Sequence, residues 1–300
     1  MKSGLSNSSM RLEDGCAVVV TYHPDQQVIE NLVSLRLQTL HLVVVDNGST
    51  ADGLEMLRVA AGRVGFELIE NGDNLGIATA LNVGVRRALE MGREWVLLFD
   101  QDSCVTEGFV ETLVAGYENS RWGDRLGLLV PRYVDKRFGT ALPPNYVKEG
   151  LEAAMTSGSL LRAETFLRHG FFVDELFIDG VDYEYSLRLR AAGMVIDECV
   201  EAVLLHSPGE PQFHKLLGVL RFQTANYSPI RQYYQERNKI WIAKRYLIRF
   251  PVFCLKLFKF GAKNFMKILV AEEGKAKKCR FFLAGVRDGL LERMGKRLAT

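Results

Sequence analysis

The sequence has few cysteines, and their placement argues against two kinds of small fold. Five cysteines occur in 300 residues, and no two of them form a Cys-x-x-Cys pair. An odd number of scattered cysteines is not the pattern of a disulfide framework, and the missing pair spacing is not that of a zinc ribbon. We therefore expect the protein to work in a reducing compartment, the cytoplasm.

The sequence also lacks a long uninterrupted apolar run. The first 15 residues are polar, so we expect no signal peptide. The most apolar stretch, 241–270, is interrupted by seven lysines and arginines. A membrane-spanning helix needs about 20 mostly apolar residues. We therefore expect no transmembrane helix in this chain.

A large net charge is missing too, since the formal net charge is only +2. The sum hides an asymmetry: residues 1–230 have a net charge of −11, and residues 231–300 have a net charge of +13. An acidic body of this size is not expected of a nucleic-acid-binding fold. The sequence therefore predicts no nucleic-acid partner, and it predicts an acidic body joined to a basic tail.

Strand-like and helix-like segments alternate along the body. This order is typical of a doubly wound α/β sheet, in which ligands bind at the carboxyl ends of the strands. The predicted strands are 16–20, 42–45, 66–69, 95–99 and 202–205, and the predicted helices begin at Pro24 and cover 77–91, 107–117 and 181–192. We predict a polar segment over 1–15, a catalytic domain over 16–230 and a helical tail over 231–300.

Two aspartates, Asp100 and Asp102, follow the fourth predicted strand directly. Neighbouring carboxylates repel each other unless a cation or hydrogen-bond donors offset their charge. The natural partner is a hard divalent cation that also binds phosphate oxygens. The alternative is structural, because Asp102 or Ser103 could cap the helix predicted over 107–117.

The polar residues that follow the other strands also have two interpretations each. Asp46 could accept a hydrogen bond from the N–H of a pyrimidine base, or it could simply stabilise its own turn. Asn74 opens a predicted helix whose amides could face an anion, or it could only cap that helix. His206 ends a predicted strand, where a histidine is more often a structural residue than a ligand.

A third acidic segment begins the helix predicted over 181–192. Asp182 and Glu184 are two residues apart and therefore point to different sides of that helix. Arg188 has the spacing of an ion-pair partner for Glu184, which leaves Asp182 as a candidate general base. Acidic residues in a first helical turn also favour the helix dipole without any catalytic role.

Taken in order, these segments resemble the inverting family-2 glycosyltransferases of the GT-A fold. The matching segments are Val18–Tyr22, Val44–Ser49, Asn74–Gly76, Asp100–Asp102 and Asp182. The segments Phe99–Ser103, Phe177–Glu184 and Tyr233–Asn238 are similar to bacterial rhamnosyltransferases in particular. The resemblance implies a mixed, mostly parallel sheet flanked by helices, with a C-terminal helical extension.

The resemblance also implies roles for individual residues. Nucleotide contacts are implied for Thr21, Tyr22, Asp46, Asn74 and Asp100. Asp102 and His206 would coordinate Mg²⁺ or Mn²⁺, and Asp182 would be the catalytic base. Ser157 and Gly158 would help to form the acceptor pocket, with Glu184 and Arg188 in support. The commonest family pattern has Glu-Asp where this chain has Val181-Asp182, and the rhamnosyltransferases share the valine.

The implied activity is transfer of a sugar with inversion. We expect L-rhamnose from dTDP-L-rhamnose to be transferred to a hydroxyl of a glycan or lipid-linked glycan in a bacterial surface polysaccharide such as O antigen. Another nucleotide-sugar donor and a non-catalytic scaffold on the same fold are the alternatives. A nucleotidyltransferase would need a Gly-rich basic loop after the first strand, and Tyr22–Asp25 is not one.

The basic tail contains a predicted amphipathic helix after Pro251. Its apolar positions are Cys254, Leu257, Phe258, Gly261, Phe265, Ile268 and Leu269, and its lysines are Lys256, Lys259, Lys263 and Lys267. Such a helix can lie on an anionic membrane surface, which would make the protein peripheral on the inner face of the plasma membrane. The alternative is that its apolar side packs on the protein itself.

Overall fold

The main sheet is mixed and has eight strands in a computed structural model of the chain, which describes residues 10–206, 212–216, 220–224 and 226–297. Most of the polar segment predicted over 1–15 lies outside these residues. The sheet strands are β1 (Gly15–Thr21), β2 (Leu42–Asp46), β3 (Glu67–Glu70), β4 (Trp95–Asp100), β5 (Cys104–Val105), β6 (Leu126–Asp135), β7 (Ser159–Arg162) and β8 (Val195–His206). A separate antiparallel pair consists of β9 (Gln212–Leu216) and β10 (Leu220–Thr224).

Helices follow most of these strands. They are α1 (Gln26–Arg36), α2 (Ala51–Ala60), α3 (Ile77–Glu90), α4 (Phe109–Glu118), α5 (Ala163–His169), α6 (Val181–Ala191), α7 (Pro229–Tyr246), α8 (Pro251–Ala271) and α9 (Lys275–Leu290). Within the described residues, no helix has the length and apolarity needed to cross a bilayer.

The strand order in the sheet is β3-β2-β1-β4-β7-β6-β8-β5. Four of the seven neighbouring pairs are parallel, and the other three, which involve β7 or β5, are antiparallel. The predicted α/β class, with a mixed and mostly parallel sheet flanked by helices, is therefore confirmed. Every residue of β1 and β2 is buried, as their continuous apolar runs predict.

Three sheet strands were not predicted: β5, which has only two residues, β6 and β7. β6 contains Pro131, a residue that cannot donate a hydrogen bond to a neighbouring strand and so argues against a central strand. The pairing of β6 with β8 shifts register between Pro131 and Arg132, and this irregularity accommodates the proline. β7 has only four residues, too few for a clear apolar pattern.

The helix predicted from Pro24 begins later, at Gln26. The Asp25 carboxylate accepts a hydrogen bond from the Val28 amide at 3.1 Å and so caps the helix. The strand predicted over 202–205 is the end of the longer strand β8, which terminates at His206 as predicted.

The chain divides into two compact units. The first contains the whole eight-stranded sheet and comprises residues 1–75, 80–171 and 188–207. The second comprises residues 76–79, 172–187 and 208–300, and so contains the start of α6 together with the three C-terminal helices. The predicted boundary between residues 230 and 231 stays a prediction.

The second unit is held together by close packing of α9 on α7. A Cβ atom on Gly285 would lie 2.3 Å from the Tyr233 carbonyl oxygen, and one on Gly289 would lie 2.6 Å from the Arg237 carbonyl oxygen. Because these glycines are four residues apart, they lie on one side of α9 and allow the two backbones to touch. Removal of α9 would therefore expose the buried side of α7.

The centre of the predicted apolar stripe of α8 is buried, whereas its members Phe258 and Leu269 are 41% and 43% exposed. Cys254, Leu257, Gly261 and Ile268 are buried, and α8 contacts both α7 and α9. Phe265 packs against Phe282 of α9 with ring centroids 4.7 Å apart. For the centre of this stripe, the structure therefore shows the alternative interpretation, in which the helix packs on the protein itself.

Candidate functional site

The carboxyl ends of β1, β2 and β4 meet at one edge of the sheet in the first unit. Thr21 pairs with Asp46 in the register of β1 with β2, and Val20 pairs with Asp100 in the register of β1 with β4. Three of the predicted nucleotide contacts, Thr21, Asp46 and Asp100, are therefore brought to the same edge of the sheet, although they are up to 79 residues apart in sequence.

A second strand arrangement places His206 at the same edge. His206 is the last residue of β8 and pairs with Asp135 of β6. The short strand β5 pairs with β8 so that Cys104 lies opposite Leu205. Asp102 is two residues before Cys104, which places His206 near the Asp100–Asp102 turn.

The Asp46 carboxylate stabilises the turn that follows β2. One oxygen accepts hydrogen bonds from the Gly48 amide at 3.2 Å and the Ser49 amide at 3.0 Å. The other accepts from the Ser49 hydroxyl and, at 3.4 Å, from the Thr21 hydroxyl. Thr21 and Asp46 are both buried. The structure thus shows the turn role that Asp46 was also predicted to have, and the nucleotide contacts of both residues stay predictions.

Asn74 is held through Asn47, a residue that the sequence did not single out for this purpose. The Asn47 side-chain amide donates to Asn74 Oδ1 at 3.2 Å. Its Oδ1 accepts from the Asn71 side chain and from the Leu75 amide, both at 3.1 Å. Asn47 therefore connects the turn after β2 to the loop after β3.

Tyr22 is held by Gln101, another residue that sequence reasoning passed over. The Gln101 side chain accepts from the Tyr22 amide at 2.8 Å and donates to the Tyr22 carbonyl at 3.1 Å. These bonds connect the end of β1 to the Asp100–Asp102 turn and leave the Tyr22 side chain 43% exposed. A glutamine between two aspartates carries no sequence signal for such a contact.

Ser157 supports the end of β4. Its hydroxyl accepts from the Asp100 amide at 3.0 Å and lies 2.5 Å from the Ser103 hydroxyl. The Gly158 amide donates to the Leu98 carbonyl at 2.6 Å, and a Cβ atom at Gly158 would lie within 2.8 Å of Pro131 and Leu204. Ser157 and Gly158 are both buried, and their acceptor-pocket role stays a prediction.

The Asp100 carboxyl group is in an unfavourable electrostatic environment. Burial, and to a smaller extent the neighbouring Asp102 charge, raise its pKa to about 6, while His206 acts in the opposite direction. Asp102 does not cap α4, because the N-cap position of that helix is Gly108. The capping interpretation of Asp102 and Ser103 is therefore wrong, and the two carboxylates lie close together at a strand end, with His206 as the nearby group that lowers the pKa of Asp100.

His206 contributes a buried nitrogen to this environment. Its Nδ1 has no hydrogen-bond partner among the residues that the structure describes. A buried polar atom without a partner is costly, unless a ligand satisfies it. Within the described ranges, no three acidic, histidine or cysteine side chains are close enough to hold a metal ion by themselves. A cation here would therefore need ligands from a bound molecule as well.

Asp182 lies in the first turn of α6, in the second unit. It is half-buried, and its Oδ1 accepts from the Tyr183 amide at 2.9 Å. Glu184 is buried and accepts from the Tyr246 hydroxyl at 2.9 Å. Arg188 donates to the carbonyl oxygens of His169 and Phe171. The predicted roles of these three acidic and basic side chains in the reaction stay predictions.

The fold recurs among solved structures of sugar-transferring enzymes. The structure of GalNAc-T7 with UDP, GalNAc and Mn²⁺ superposes with a TM-score of 0.58 at 14% sequence identity. The match covers 93% of this chain, and the chain spans just over half, 56%, of GalNAc-T7. The sheet with its flanking helices is thus that of the GT-A glycosyltransferases.

Sequence comparison identifies the family. Residues 16–139 match glycosyl transferase family 2. Over 246 residues the chain is 30% identical to the dTDP-rhamnosyl transferase RfbF of Shigella flexneri, which covers 76% of this chain and 79% of RfbF. It is also 29% identical to the galactofuranosyltransferase GlfT1 of Mycobacterium tuberculosis, over 75% of this chain and 81% of that protein. This chain therefore belongs to glycosyltransferase family 2 and is a glycosyltransferase.

The raised pKa of Asp100 predicts a pH-dependent loss of stability. Between about pH 4 and pH 6 the folded state binds more protons than the unfolded state, so the free energy of unfolding falls as the pH rises through this window. We expect Asp100→Asn, measured by urea unfolding with a chelator present, to be more stable than the wild type at pH 7.5. The difference should vanish below about pH 3, where the carboxyl is protonated in both states.

Asp135 provides a control of opposite sign. Its hydrogen bonds with Arg137 lower its pKa to about 2, so its charge stabilises the fold at neutral pH, and this stabilisation is lost only as the pH falls toward 2. Asp135→Asn should therefore be less stable than the wild type at pH 7.5. An Asp100→Asn protein that is also destabilised at pH 7.5 would contradict the assignment.

Proposed function

We propose that the protein transfers a sugar from a nucleotide diphosphate to a glycan hydroxyl in a single displacement, with inversion at the anomeric carbon. The observation that carries the proposal is the buried Asp100 carboxyl, with the exposed Asp102 carboxylate next to it and the nearby His206 Nδ1, which has no hydrogen-bond partner among the described residues. Ligands bind at the carboxyl ends of strands in sheets of this kind, which is where these three residues lie.

The donor we propose is dTDP-L-rhamnose. Its support is the match to RfbF, whose name describes a dTDP-rhamnosyl transferase, along three quarters of the chain. Transfer of galactofuranose is the second candidate, because the match to GlfT1 extends over the same number of residues at nearly the same identity. The acceptor we propose is a glycan or lipid-linked glycan of a bacterial surface polysaccharide.

The residues at the strand ends fit a divalent cation. Asp102 and His206 would hold it, with Asp100 close by. The imidazole Nδ1, which has no partner among the described residues, is a suitable ligand for Mn²⁺, and the carboxylate oxygens are suitable ligands for Mg²⁺. When bound, such a cation stabilises the negative charge that develops on the leaving diphosphate. The Mn²⁺ in the GalNAc-T7 structure supports this part of the proposal.

Asp182 is the general base that we propose for the attacking hydroxyl. As the hydroxyl oxygen bonds to the anomeric carbon, its proton passes to a carboxylate oxygen of Asp182, and the bond from that carbon to the diphosphate breaks. A single displacement needs no enzyme nucleophile and inverts the configuration. Asp182 lies in the first turn of α6, where the helix dipole favours acidic side chains.

We expect Asp182→Asn to reduce turnover by a factor of roughly 10² to 10⁴, because an amide cannot accept the proton. Binding of the donor should remain, since the amide keeps the shape of the side chain. Release of nucleotide diphosphate measures the first quantity, and calorimetric titration with donor measures the second. Asp52→Asn, at an exposed aspartate of α2, is the control that should match the wild type. Undiminished turnover in Asp182→Asn would refute the base assignment.

The cation site makes a separate prediction about binding of dTDP. We expect Mn²⁺ to tighten this binding by about tenfold or more, and we expect Asp102→Ala to remove most of that gain. Titration calorimetry with Mn²⁺ and then with a chelator measures both effects. Asp124→Ala, at an exposed aspartate outside the strand ends, should respond to Mn²⁺ as the wild type does. Equal dTDP affinity with cation and with chelator would contradict the site.

We also propose that the protein is peripheral on an anionic membrane surface through α8. The side of this helix opposite its buried stripe carries Val252, Leu255, Met266 and Val270, each at least 40% exposed, together with Lys259 and Lys263. We refer to these six residues as the outer face of α8. The helix contains no acidic residue. Exposed apolar side chains with interspersed lysines suit the interface of an anionic leaflet, where the lysines reach the headgroups.

Point variants test this better than truncation, since α9 supports α7. We expect Leu255→Glu with Met266→Glu to reduce sedimentation with vesicles that contain phosphatidylglycerol, because the change removes apolar area and adds negative charge. Leu167→Glu, at a 70% exposed leucine of α5, is the matched control and should sediment like the wild type. Sedimentation of the double variant at the wild-type level would rule out the outer face as the docking surface.

A further inference from the structure

The loop that leads into α6 has an unusual backbone. Three of its four residues from Phe177 to Gly180 have positive φ angles: 65° at Phe177, 62° at Asp179 and 83° at Gly180. Only the last is a glycine. Non-glycine residues in this region are strained, and they persist only where their surroundings hold them there. The strained residues immediately precede the helical turn that carries Asp182.

All five consecutive carbonyl groups from Glu175 to Asp179 accept hydrogen bonds. The Asn238 side-chain amide donates to the carbonyls of Leu176, Ile178 and Asp179 at 2.9, 2.8 and 2.6 Å. Arg237 donates to the carbonyls of Glu175 and Leu176, both at 3.0 Å. The Ile77 amide donates to the remaining carbonyl, that of Phe177, at 2.7 Å.

Two side-chain contacts complete the attachment of this loop to α7. The Phe177 ring stacks on Tyr234 with centroids 4.9 Å apart. The Arg231 guanidinium donates two hydrogen bonds, at 3.1 and 3.2 Å, to the Asp179 carboxylate. Each of the two strained non-glycine residues is therefore held by its side chain as well as by its carbonyl oxygen.

The arginine that anchors the loop is fully buried. Arg237 has no exposed surface, and its donors go to main-chain carbonyls, including that of Gly295, and to Asn238 Oδ1 at 2.9 Å. Burial lowers its pKa. A buried charge is costly, and a buried apolar side chain would fill the same space without this cost. The arrangement therefore uses a costly residue to fix one loop.

We infer that Asn238 and Arg237 are positioning residues for Asp182: they hold the strained loop 175–180 in one conformation and so set the place of the first turn of α6. The inference rests on the proposed role of Asp182 as the base. Misplacement of a catalytic group by about 1 Å costs on the order of 10²-fold in rate. Loss of these hydrogen bonds therefore affects the chemical step rather than binding of the donor.

The test begins with Asn238→Ala and Asn238→Asp. The first removes the amide, and the second keeps its shape but replaces the donor with an acceptor that repels the three carbonyls. We expect kcat to fall by a factor of about 10 to 10² in both, with KM for the donor within about twofold of wild type. Asn264→Ala is the control, because it removes a hydrogen bond, at 2.6 Å, from α8 to Gln232 of α7 and none of the loop contacts.

A double variant distinguishes positioning from a general structural role. If Asn238 acts through Asp182, Asn238→Ala should have little further effect on the residual single-turnover rate of Asp182→Asn. A full additional loss in that background, or wild-type kcat in Asn238→Ala and Asn238→Asp, would overturn the inference while the base assignment stands. Wild-type turnover in Asp182→Asn alone would instead defeat the proposed function.

Arg231→Gln keeps the test decisive if the Asn238 variants fail to fold. Arg231 is at the surface, with 44% of its side chain exposed, so its replacement leaves the core intact. The Arg231→Gln variant loses the ion pair that holds Asp179. We expect its kcat to fall severalfold at unchanged KM, and we expect Arg231→Lys to restore part of the lost kcat. Wild-type kinetics in Arg231→Gln would count against the positioning role of the loop contacts.

Discussion

The hydrogen-bonded register of β2, β1 and β4 is the constraint on which the sheet edge of this protein depends. Parallel pairing aligns Thr21 with Asp46 and Val20 with Asp100, so the three strands end at the same level. The residues at the strand ends are then fixed by main-chain geometry rather than by their own contacts. A slip of one residue in any strand would turn its side chains to the opposite face.

That register brings the Asp100 carboxyl to a position where burial penalises its charged form. The raised pKa of Asp100 is the electrostatic consequence, and the unpartnered Nδ1 of His206 is the corresponding consequence for hydrogen bonding. Neighbouring side chains meanwhile satisfy the main chain: Gln101 binds Tyr22, and Ser157 binds the Asp100 amide. The protein thus satisfies the backbone at this edge with side chains from neighbouring loops.

In the second unit, side chains likewise satisfy the main chain, here that of a loop. Positive φ angles before α6 are held by donors from α7, and a buried arginine supplies several of them. The positive charge of the tail is therefore only partly a surface property. Arg237, Lys239 and Lys278 are buried, the two lysines in ion pairs with Glu236 and Glu272. The lysines on the outer face of α8 are among the tail charges that remain exposed.

The sequence by itself determined the α/β class, most of the central strands, and the acidic residues at their ends. Continuous apolar runs such as 16–20 and 42–45 form buried strands wherever they occur, and polar residues after them must lie at the sheet edge. His206 illustrates the limit of such reasoning, because its nearness to Asp102 depends on the pairing of β5 with β8, two segments about 90 residues apart. The strand β6 was also not predictable from the sequence, because Pro131 argues against a central strand. Only the register shift in the assembled sheet shows how this proline is accommodated. The contacts of Asn238, Gln101 and Asn47 were also decided by tertiary structure alone: a polar side chain shows its chemistry in the sequence, but the carbonyl or amide that it binds is chosen by the fold.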